Sequence, residues 1–482
     1  MKNKKDWIIY GIIAIISFVI FTPWLLGHMS GDDYTIAQIG YKEFIKNFSL
    51  SDGRIFSAII ISIYEIFNIN IEISTIISLV GSIIICSFSV VYLKKIIEDI
   101  KPCKTIYSEI IVTIISFVTI FNFMQIDCFS FIDSIGIELS ILLVLIAVKT
   151  LIKEEKRYNI KTLLIITLAC FTYQASIFTF IPLTLLFTIL KYKNNDKKAI
   201  INIVKSCIFV FIGMILNIIF IKCITPIVGI NNCRAGLNFD RMLTWAIYII
   251  DNFGYVIVDN FCYYIPGLLL IIMCILFGTL TTYTLKYKKE KQLIFNFFIV
   301  EFFFFLWNEI LFIITNSSLG SGRMNLCLGM MIGAGLIYIY VLTDIFEKKG
   351  AWKYLITTIL AVYLVTTIYK TGEIILTVSN NRKKDIQTIH EICDYVEKYE
   401  NENNIKVTKI CEVLSIGKNI GRTNNNVPYG SILTGKRNAS AMINYYKKDK
   451  LITMYVKENE KIKLENTYKC IGDTLYIRIT EW

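Results

Sequence analysis

The chain has 482 residues, of which 55% are hydrophobic and only 18% are charged. Soluble globular proteins carry about 25% charged residues, so this composition excludes a soluble protein, as well as a disordered, collagen-like or coiled-coil chain. The net charge is +12. Most of the excess basic residues lie in short loops between apolar segments, and we therefore attribute the charge to membrane orientation and not to nucleic-acid binding.

The long apolar segments predict an all-α polytopic membrane protein. Lys2, Lys4 and Lys5 precede the first segment, which places the N-terminus in the cytoplasm. A cleaved signal peptide is the alternative, but no small-residue cleavage site follows this segment. If the later basic clusters are also cytoplasmic, the chain crosses the membrane about eleven times and its C-terminus is outside. The predicted spans are 7–26, 73–93, 106–124, 134–152, 162–174, 176–190, 200–222, 264–285, 293–314, 325–345 and 353–375.

This path requires that the apolar segment from Ile55 to Phe67 does not cross the membrane. The segment is short and Glu65 interrupts it, which indicates an amphipathic helix on the outer surface. If it were a span, every later basic cluster would move outside, against the positive-inside rule.

Two domains follow from this topology. Residues 1–378 form a transmembrane domain with a first outer loop at 27–72 and a long outer loop at 223–263. Residues 379–482 are polar enough to form a small extracytoplasmic α+β domain. Its predicted elements are a charged helix at 382–403, strands at 406–414, 451–457 and 474–480, and a loop rich in Gly and Asn at 417–435.

The first candidate site is Gly31-Asp32-Asp33-Tyr34, directly after the first span. Two carboxylates beside lipid are costly unless they are paired or functional. A carboxylate in apolar surroundings can have a raised pKa, which suits a general base. The alternative is a solvated turn that ends the helix.

The second candidate site is Arg54, in Ser51-Asp52-Gly53-Arg54, directly before the surface helix. The planar guanidinium group binds phosphate with two parallel hydrogen bonds. The alternative is an arginine that anchors the loop at the membrane interface.

These motifs, together with Phe171-Thr172-Tyr173-Gln174, resemble the glycosyltransferases of the GT-C class, which use polyprenyl-phosphate-linked sugars. Within this class they look like the motifs of the bacterial Gtr-type glucosyltransferase family. The resemblance covers the layout of spans one to ten but only a few dozen residues in motifs. The C-terminal domain does not match these relatives, which leaves the acceptor open.

The resemblance implies a direct transfer of a hexose, most simply glucose, from the lipid donor to a cell-surface polysaccharide or teichoic-acid-like polymer on the outer face. Asp32 or Asp33 would be the base, and the other would orient the acceptor. Arg54 and Arg323 would bind the phosphate. The carboxylates could also hold Mg²⁺ or Mn²⁺, although base catalysis needs no metal.

Further polar residues are candidates for substrate binding on the outer side. Asp133 opens the fourth span, where GT-C relatives often hold a carboxylate, and Asp127 competes with it for that role. Glu309 lies in the outer third of the ninth span, and Glu301 in its inner half could pair with a basic residue. The full set of candidates for substrate binding is Tyr34, Arg54, Asp127, Asp133, Tyr173, Gln174, Glu309 and Arg323.

Two alternative functions remain open, a transporter or flippase of lipid-linked sugars and a polysaccharide polymerase. Transporters place their key polar groups near the middle of the bilayer, whereas the acidic pair here lies at its outer edge. Abundant Ile, Lys and Asn indicate an AT-rich bacterial genome. Together with the predicted spans, this composition indicates a multi-pass protein of the bacterial cell membrane. The expected partners are the lipid donor, the glycan acceptor, a polyprenyl-phosphate glycosyl synthase and a small flippase.

Overall fold

The computed structural model describes residues 4–153, 159–192, 196–230, 243–244, 247, 268–284, 291–315, 323, 325–343, 345–347, 350–415, 433, 438–448, 451–457 and 467–480. Most of the predicted loops at 223–263 and 417–435 lies outside these residues. So do Gly320, Ser321, Gly322 and Met324, the neighbours of Arg323.

Helices form most of the described chain. The first ones are α1 (Lys4–Leu25), α2 (Gly31–Ile39), α3 (Tyr41–Phe44), a π-helical segment (Ile45–Leu50), α4 (Ile55–Ile66), α5 (Ile71–Ile100) and α6 (Ile106–Ile120). A 3₁₀ helix (Phe123–Ser130) leads to α7 (Ser134–Lys153), α8 (Ile160–Thr172), α9 (Gln174–Ile177), α10 (Phe180–Tyr192) and α11 (Asp196–Val228). The last helices before the C-terminal region are α12 (Leu268–Tyr283), α13 (Lys291–Thr315), α14 (Leu326–Leu342) and α15 (Ala351–Asn403).

Within the described part of the chain, seven helices are long and apolar enough to cross a membrane, or eight if α6 and the bent 3₁₀ helix after it form one span. This finding supports a helical, multi-pass membrane protein. Shorter apolar helices lie at three more of the predicted span positions, α8, α12 and α14. Helix therefore occurs at all eleven positions, and the count of eleven spans stays a prediction.

Ion pairs join the beginning of α1 to the end of α5. Asp6 lies 2.9 Å from Lys95 and 3.9 Å from Lys94, and Lys94 lies 2.6 Å from Glu98 and 3.6 Å from Glu109 at the start of α6. The start of α1, the end of α5 and the start of α6 therefore meet on one side of the bundle. This meeting favours two crossings, by α1 and α5, and supports the interpretation of α4 as a surface helix.

Helix α4 has the two faces that such a position requires. Ser57, Ile61 and Tyr64 are buried against the protein, whereas Ile59 and Ile63 are exposed. An exposed apolar face beside a membrane contacts lipid without cost.

Helix α15 continues without a break for 53 residues. The predicted domain boundary at 378/379 lies inside it, because no Gly or Pro interrupts the sequence there. Its apolar first half packs beside α1, where Trp24 donates a hydrogen bond to the Ile375 carbonyl at 3.2 Å. Its charged second half buries Ile389, Ile392 and Val396 in a separate core with the C-terminal strands.

The described part of the C-terminal region contains a four-stranded mixed sheet and a further helix. The strands are β1 (Lys409–Ser415), β2 (Ile452–Lys457), β3 (Tyr468–Ile471) and β4 (Thr474–Thr480), and helix α16 (Asn438–Lys447) lies between β1 and β2 in the chain. The order across the sheet is β2-β1-β4-β3, with β1 parallel to β2 and β4, and β3 antiparallel to β4. Helix α16 packs directly on α2, so the C-terminal region covers part of the segment 27–72 that the sequence predicts to be an outer loop.

The predicted sidedness can be tested with two cysteine substitutions in a background without the native cysteines. Asn401 and Lys153 are both exposed, the first in the second half of α15 and the second at the end of α7. In intact cells, a membrane-impermeant maleimide should label Asn401→Cys and not Lys153→Cys, which should react only after the cells are opened. Labelling of Lys153→Cys in intact cells would overturn the topology.

Candidate active site

The two adjacent acids of α2, Asp32 and Asp33, have different environments. Ser30 and Asp33 form a capping box at the start of α2: the Asp33 Oδ2 accepts from the Ser30 N–H at 2.7 Å, and the Asp33 N–H donates to the Ser30 Oγ at 3.3 Å. Asp33 is fully buried, whereas Asp32 is exposed. The other carboxylate oxygen of Asp33, Oδ1, is buried and accepts no hydrogen bond from a described residue.

Burial raises the pKa of Asp33 to about 7, from an ordinary value of 3.8. The hydrogen bonds from Ser30 oppose this rise, and the nearby charges of Asp32 and Asp133 add to it. A carboxyl group with this pKa is ionised about half the time near neutral pH, which suits a base that must take up a proton during turnover.

Arg54 directly precedes α4 as its N-cap residue and is surrounded by acidic and aromatic side chains. Its Nη1 lies 3.5 Å from Asp133 Oδ2 and its Nη2 lies 3.6 Å from Asp52 Oδ2. Its guanidinium carbon lies 5.1 Å from the centre of the Tyr173 ring, within reach of a cation–π contact. Both ion pairs are longer than charge-assisted hydrogen bonds, which are about 2.7–2.9 Å, and the buried Nε has no described hydrogen-bond partner. The guanidinium group is held by charge but retains donors for a ligand.

Asp133 connects this arginine to α4 and to Asp33. Its Oδ2 accepts from Ser57 Oγ at 3.4 Å, and Ser57 also contacts Ser49 Oγ at 3.3 Å. The charge of Asp133 acts on Asp33 as well. The structure therefore brings three of the predicted residues, Asp33, Arg54 and Asp133, into one region.

Asp127 and Arg323 form the next part of this region. The Arg323 N–H donates to Asp127 Oδ2 at 3.0 Å, and its guanidinium carbon lies 4.1 Å from the centre of the Phe131 ring. Tyr173 is within electrostatic range of both Arg54 and Arg323. Two arginines thus approach one buried tyrosine from different segments of the chain.

Two other predicted residues are engaged with the protein itself. Gln174 Nε2 donates to the Asp52 carbonyl at 2.5 Å, which places its amide against the backbone before Arg54. Tyr34 is buried, with its hydroxyl 3.4 Å from that of Tyr446 in α16. These contacts favour a supporting role for both residues.

The two acids of α13 differ in their surroundings. Glu309 Oε1 accepts from Asn308 Nδ2 at 3.3 Å, and the same amide donates to Asn325 at 2.9 Å. Glu301 is buried, and neither of its carboxylate oxygens has a hydrogen-bond partner among the described residues. The basic partner considered for Glu301 is not found among those residues.

Three residues near this region were not predicted. His28 is buried, stacks on Trp24 with ring centres 4.3 Å apart, and has no described hydrogen-bond partner on either nitrogen. Arg382 pairs with Asp385 at 3.1 Å and acts electrostatically on Asp33 and His28. Asn217 of α11 donates to the Gly53 carbonyl at 2.9 Å. His28 could have been predicted from the sequence, because it lies only four residues before Asp32. Arg382 and Asn217 could not, because they come from distant segments of the chain.

Among the described residues, no three His, Cys, Asp or Glu side chains lie together in a way that could hold a metal ion. No protein-family model matches the sequence, and no curated protein matches it. The functional interpretation therefore depends on the sequence motifs and on the geometry of the region.

Proposed function

We propose that the chain is an integral-membrane glycosyltransferase of the GT-C type, related to the bacterial Gtr-type glucosyltransferases. It would transfer a hexose, most simply glucose, from a polyprenyl phosphate to a cell-surface polysaccharide or teichoic-acid-like polymer on the outer face. The main support is that a buried carboxyl group, Asp33, and an arginine that retains donors, Arg54, both interact with the same carboxylate, Asp133. Such a transfer needs one group to accept a proton and another to receive a departing phosphate.

In the proposed reaction, Asp33 Oδ1 takes the proton of an acceptor hydroxyl while its Oδ2 is held by the Ser30 N–H. The acceptor oxygen forms a bond to the anomeric carbon. The bond from that carbon to the phosphate oxygen breaks, and the polyprenyl phosphate leaves with the electron pair. Arg54 neutralises the charge that develops on the phosphate. Direct displacement inverts the anomeric carbon.

The remaining residues have supporting parts in this proposal. Asp133 and Asp52 hold the guanidinium group of Arg54 until the phosphate arrives, because their pairs at 3.5 and 3.6 Å are weaker than bidentate phosphate binding. Arg323 provides a second positive charge near Tyr173. Asp32, which is exposed on the same helix as Asp33, would meet the acceptor.

The proposal is tested with the purified protein in liposomes. Labelled polyprenyl-phosphate glucose is supplied on the outer side together with surface polymer from cells that lack this protein. We expect label to enter the polymer, free polyprenyl phosphate to form in equal amount, and Asp33→Asn to slow both strongly. If no polyprenyl-phosphate hexose gives transfer with any surface polymer, the proposal is wrong.

One observation favours the transporter alternative. Glu301 is a buried acid inside a membrane helix without a described hydrogen-bond partner, and intramembrane acids are frequent in transport pathways. The same liposomes distinguish the two functions. A transporter would move labelled lipid between the leaflets without transfer of sugar, and Glu301→Gln would stop that movement.

A further inference from the structure

Two side-chain amides, from the buried Asn217 and the half-buried Gln174, hold the turn that carries Arg54. Asn217 Nδ2 donates to the Gly53 carbonyl at 2.9 Å, and Gln174 Nε2 donates to the Asp52 carbonyl at 2.5 Å. The two amides also meet each other, with Gln174 Nε2 3.3 Å from Asn217 Oδ1. Both backbone carbonyls directly before Arg54 are therefore bound by side chains from α9 and α11. We name Gln174 and Asn217 the amide clamp.

Gly53 is required for this contact. Its φ is +71°, a conformation that other residues rarely adopt. A Cβ atom at this position would lie 2.5–2.6 Å from the amide atoms of Asn217 and 2.8 Å from Ile221 Cδ1. The turn and the amide clamp thus fit together only without a side chain at residue 53.

Burial of the polar side chain of Asn217 in α11 costs free energy, and packing alone does not require an asparagine there. Asn217 is 4% exposed on a helix that is long and apolar enough to cross the membrane. A leucine would fill a similar volume without a buried polar group. Both polar atoms of this amide nevertheless have hydrogen-bond partners, because its nitrogen donates to the Gly53 carbonyl and its oxygen accepts from Gln174.

We propose that Asn217, together with Gln174, is a positioning residue that fixes the guanidinium group of Arg54 at the donor phosphate. This inference rests on the proposed function and extends it to the support of the phosphate site. The ion pairs of Arg54 are long, so they hold its guanidinium group only weakly. The Arg54 N–H donates to the Ser49 carbonyl at 2.8 Å within the same loop, and the amide clamp in addition ties that loop to α9 and α11.

The experiment measures the binding of polyprenyl phosphate and of uncharged polyprenol to the full-length protein in detergent. In Asn217→Leu, we expect polyprenyl phosphate to bind roughly tenfold more weakly, within the range for a lost buried hydrogen bond, while polyprenol binds as in the wild type. The matched control is Asn202→Leu, which removes another buried amide of α11, one bonded to Thr188 at 3.4 Å. It should leave both affinities unchanged.

Gly53→Ala provides a second route to the same displacement and should also weaken phosphate binding selectively. The double variant Arg54→Ala with Asn217→Leu should bind no more weakly than Arg54→Ala alone, because the two changes act through one contact. If Arg54→Ala weakens binding but Asn217→Leu and Gly53→Ala do not, the positioning inference is wrong. If Arg54→Ala has no effect either, the proposed role of Arg54 in the transferase itself fails.

Discussion

Replacement of Asp33 by Asn is expected to lower the rate of sugar transfer by roughly 10²–10⁴-fold, the range for loss of a general base. The substitution keeps the shape of the side chain, and the amide oxygen can still accept from the Ser30 N–H. The loss should therefore appear in kcat, with the donor KM nearly unchanged. The measurement is initial rates with purified protein at saturating acceptor.

The same carboxyl group predicts the pH dependence of the wild type. The base must be ionised, so kcat should rise with pH through about 7 and level off above it. Asp33→Asn should lose this dependence together with the activity. A wild-type profile that is flat between pH 5.5 and 8.5 would contradict the assignment.

The stability of the folded protein should fall as pH rises, whereas kcat should increase. The pKa of Asp33 is higher in the folded protein than in the unfolded chain, so its contribution to stability is present at low pH and is lost as pH rises from about 4 to about 7. Above pH 7 the buried charge destabilises the fold by an amount on the order of a few kcal/mol. Asp33→Asn removes this charge and should raise the melting temperature at pH 8 but not at pH 4.

Asp32→Asn is the matched control, because it makes the same chemical change at the exposed neighbouring position. We expect a smaller loss of activity, seen mainly in the acceptor KM, and no gain in stability at pH 8. If Asp33→Asn is fully active and Asp32→Asn is not, then Asp32 is the base. Full activity of both variants would exclude the mechanism.

Replacement of Arg54 by Ala is expected to cost roughly tenfold to 150-fold in transfer, since a charge-assisted contact to phosphate contributes about 1.5–3 kcal/mol. Arg54→Lys keeps the charge but loses the planar pair of donors and should be impaired less. A contact of equal strength in the ground and transition states would raise the KM for donor. A contact that strengthens as the phosphate leaves would lower kcat.

Arg323→Ala tests whether Arg323, which like Arg54 lies near Tyr173, contributes to phosphate binding. We expect a smaller loss of activity in that variant than in Arg54→Ala. An arginine that only anchors the loop would behave differently, with less protein in the membrane and unchanged kinetics per folded molecule. Such a result for Arg54 would make Arg323 the better phosphate ligand.

The sequence predicts the position of the membrane helices well, because long apolar segments can be read without knowledge of tertiary contacts. It predicts the C-terminal region less completely. Helix α16 and strand β3 were not predicted, since α16 is short and its buried face is mostly Ala, Met and Ile among polar residues, and β3 has only four residues. Helix α16 is stabilised by a distant partner, α2, and β3 by antiparallel pairing with β4, the next strand in the chain.

The candidate site was predictable only in part. Charge and position in the chain identified Asp33 and Arg54, but the sequence alone did not separate Asp32 from Asp33. That distinction comes from the capping box, in which the third residue after Ser30 turns inward. Asn217 and Arg382 were missed because each lies more than 140 residues from the segment 27–72, and no local pattern marks them.

The packing of α16 on α2 has a consequence for the order in which the protein matures. Helix α2, which carries Asp33, is among the first segments made, whereas α16 is made roughly 400 residues later and is predicted to cross the membrane only after all the spans have been inserted. Gly31 contacts Asn438 so closely that a Cβ atom would lie 2.6 Å from its amide, and Tyr34 meets Tyr446. The surroundings of Asp33 are thus completed by the end of the chain. We therefore expect a chain truncated before α16 to leave α2 uncovered, so that the surroundings of Asp33 would be incomplete.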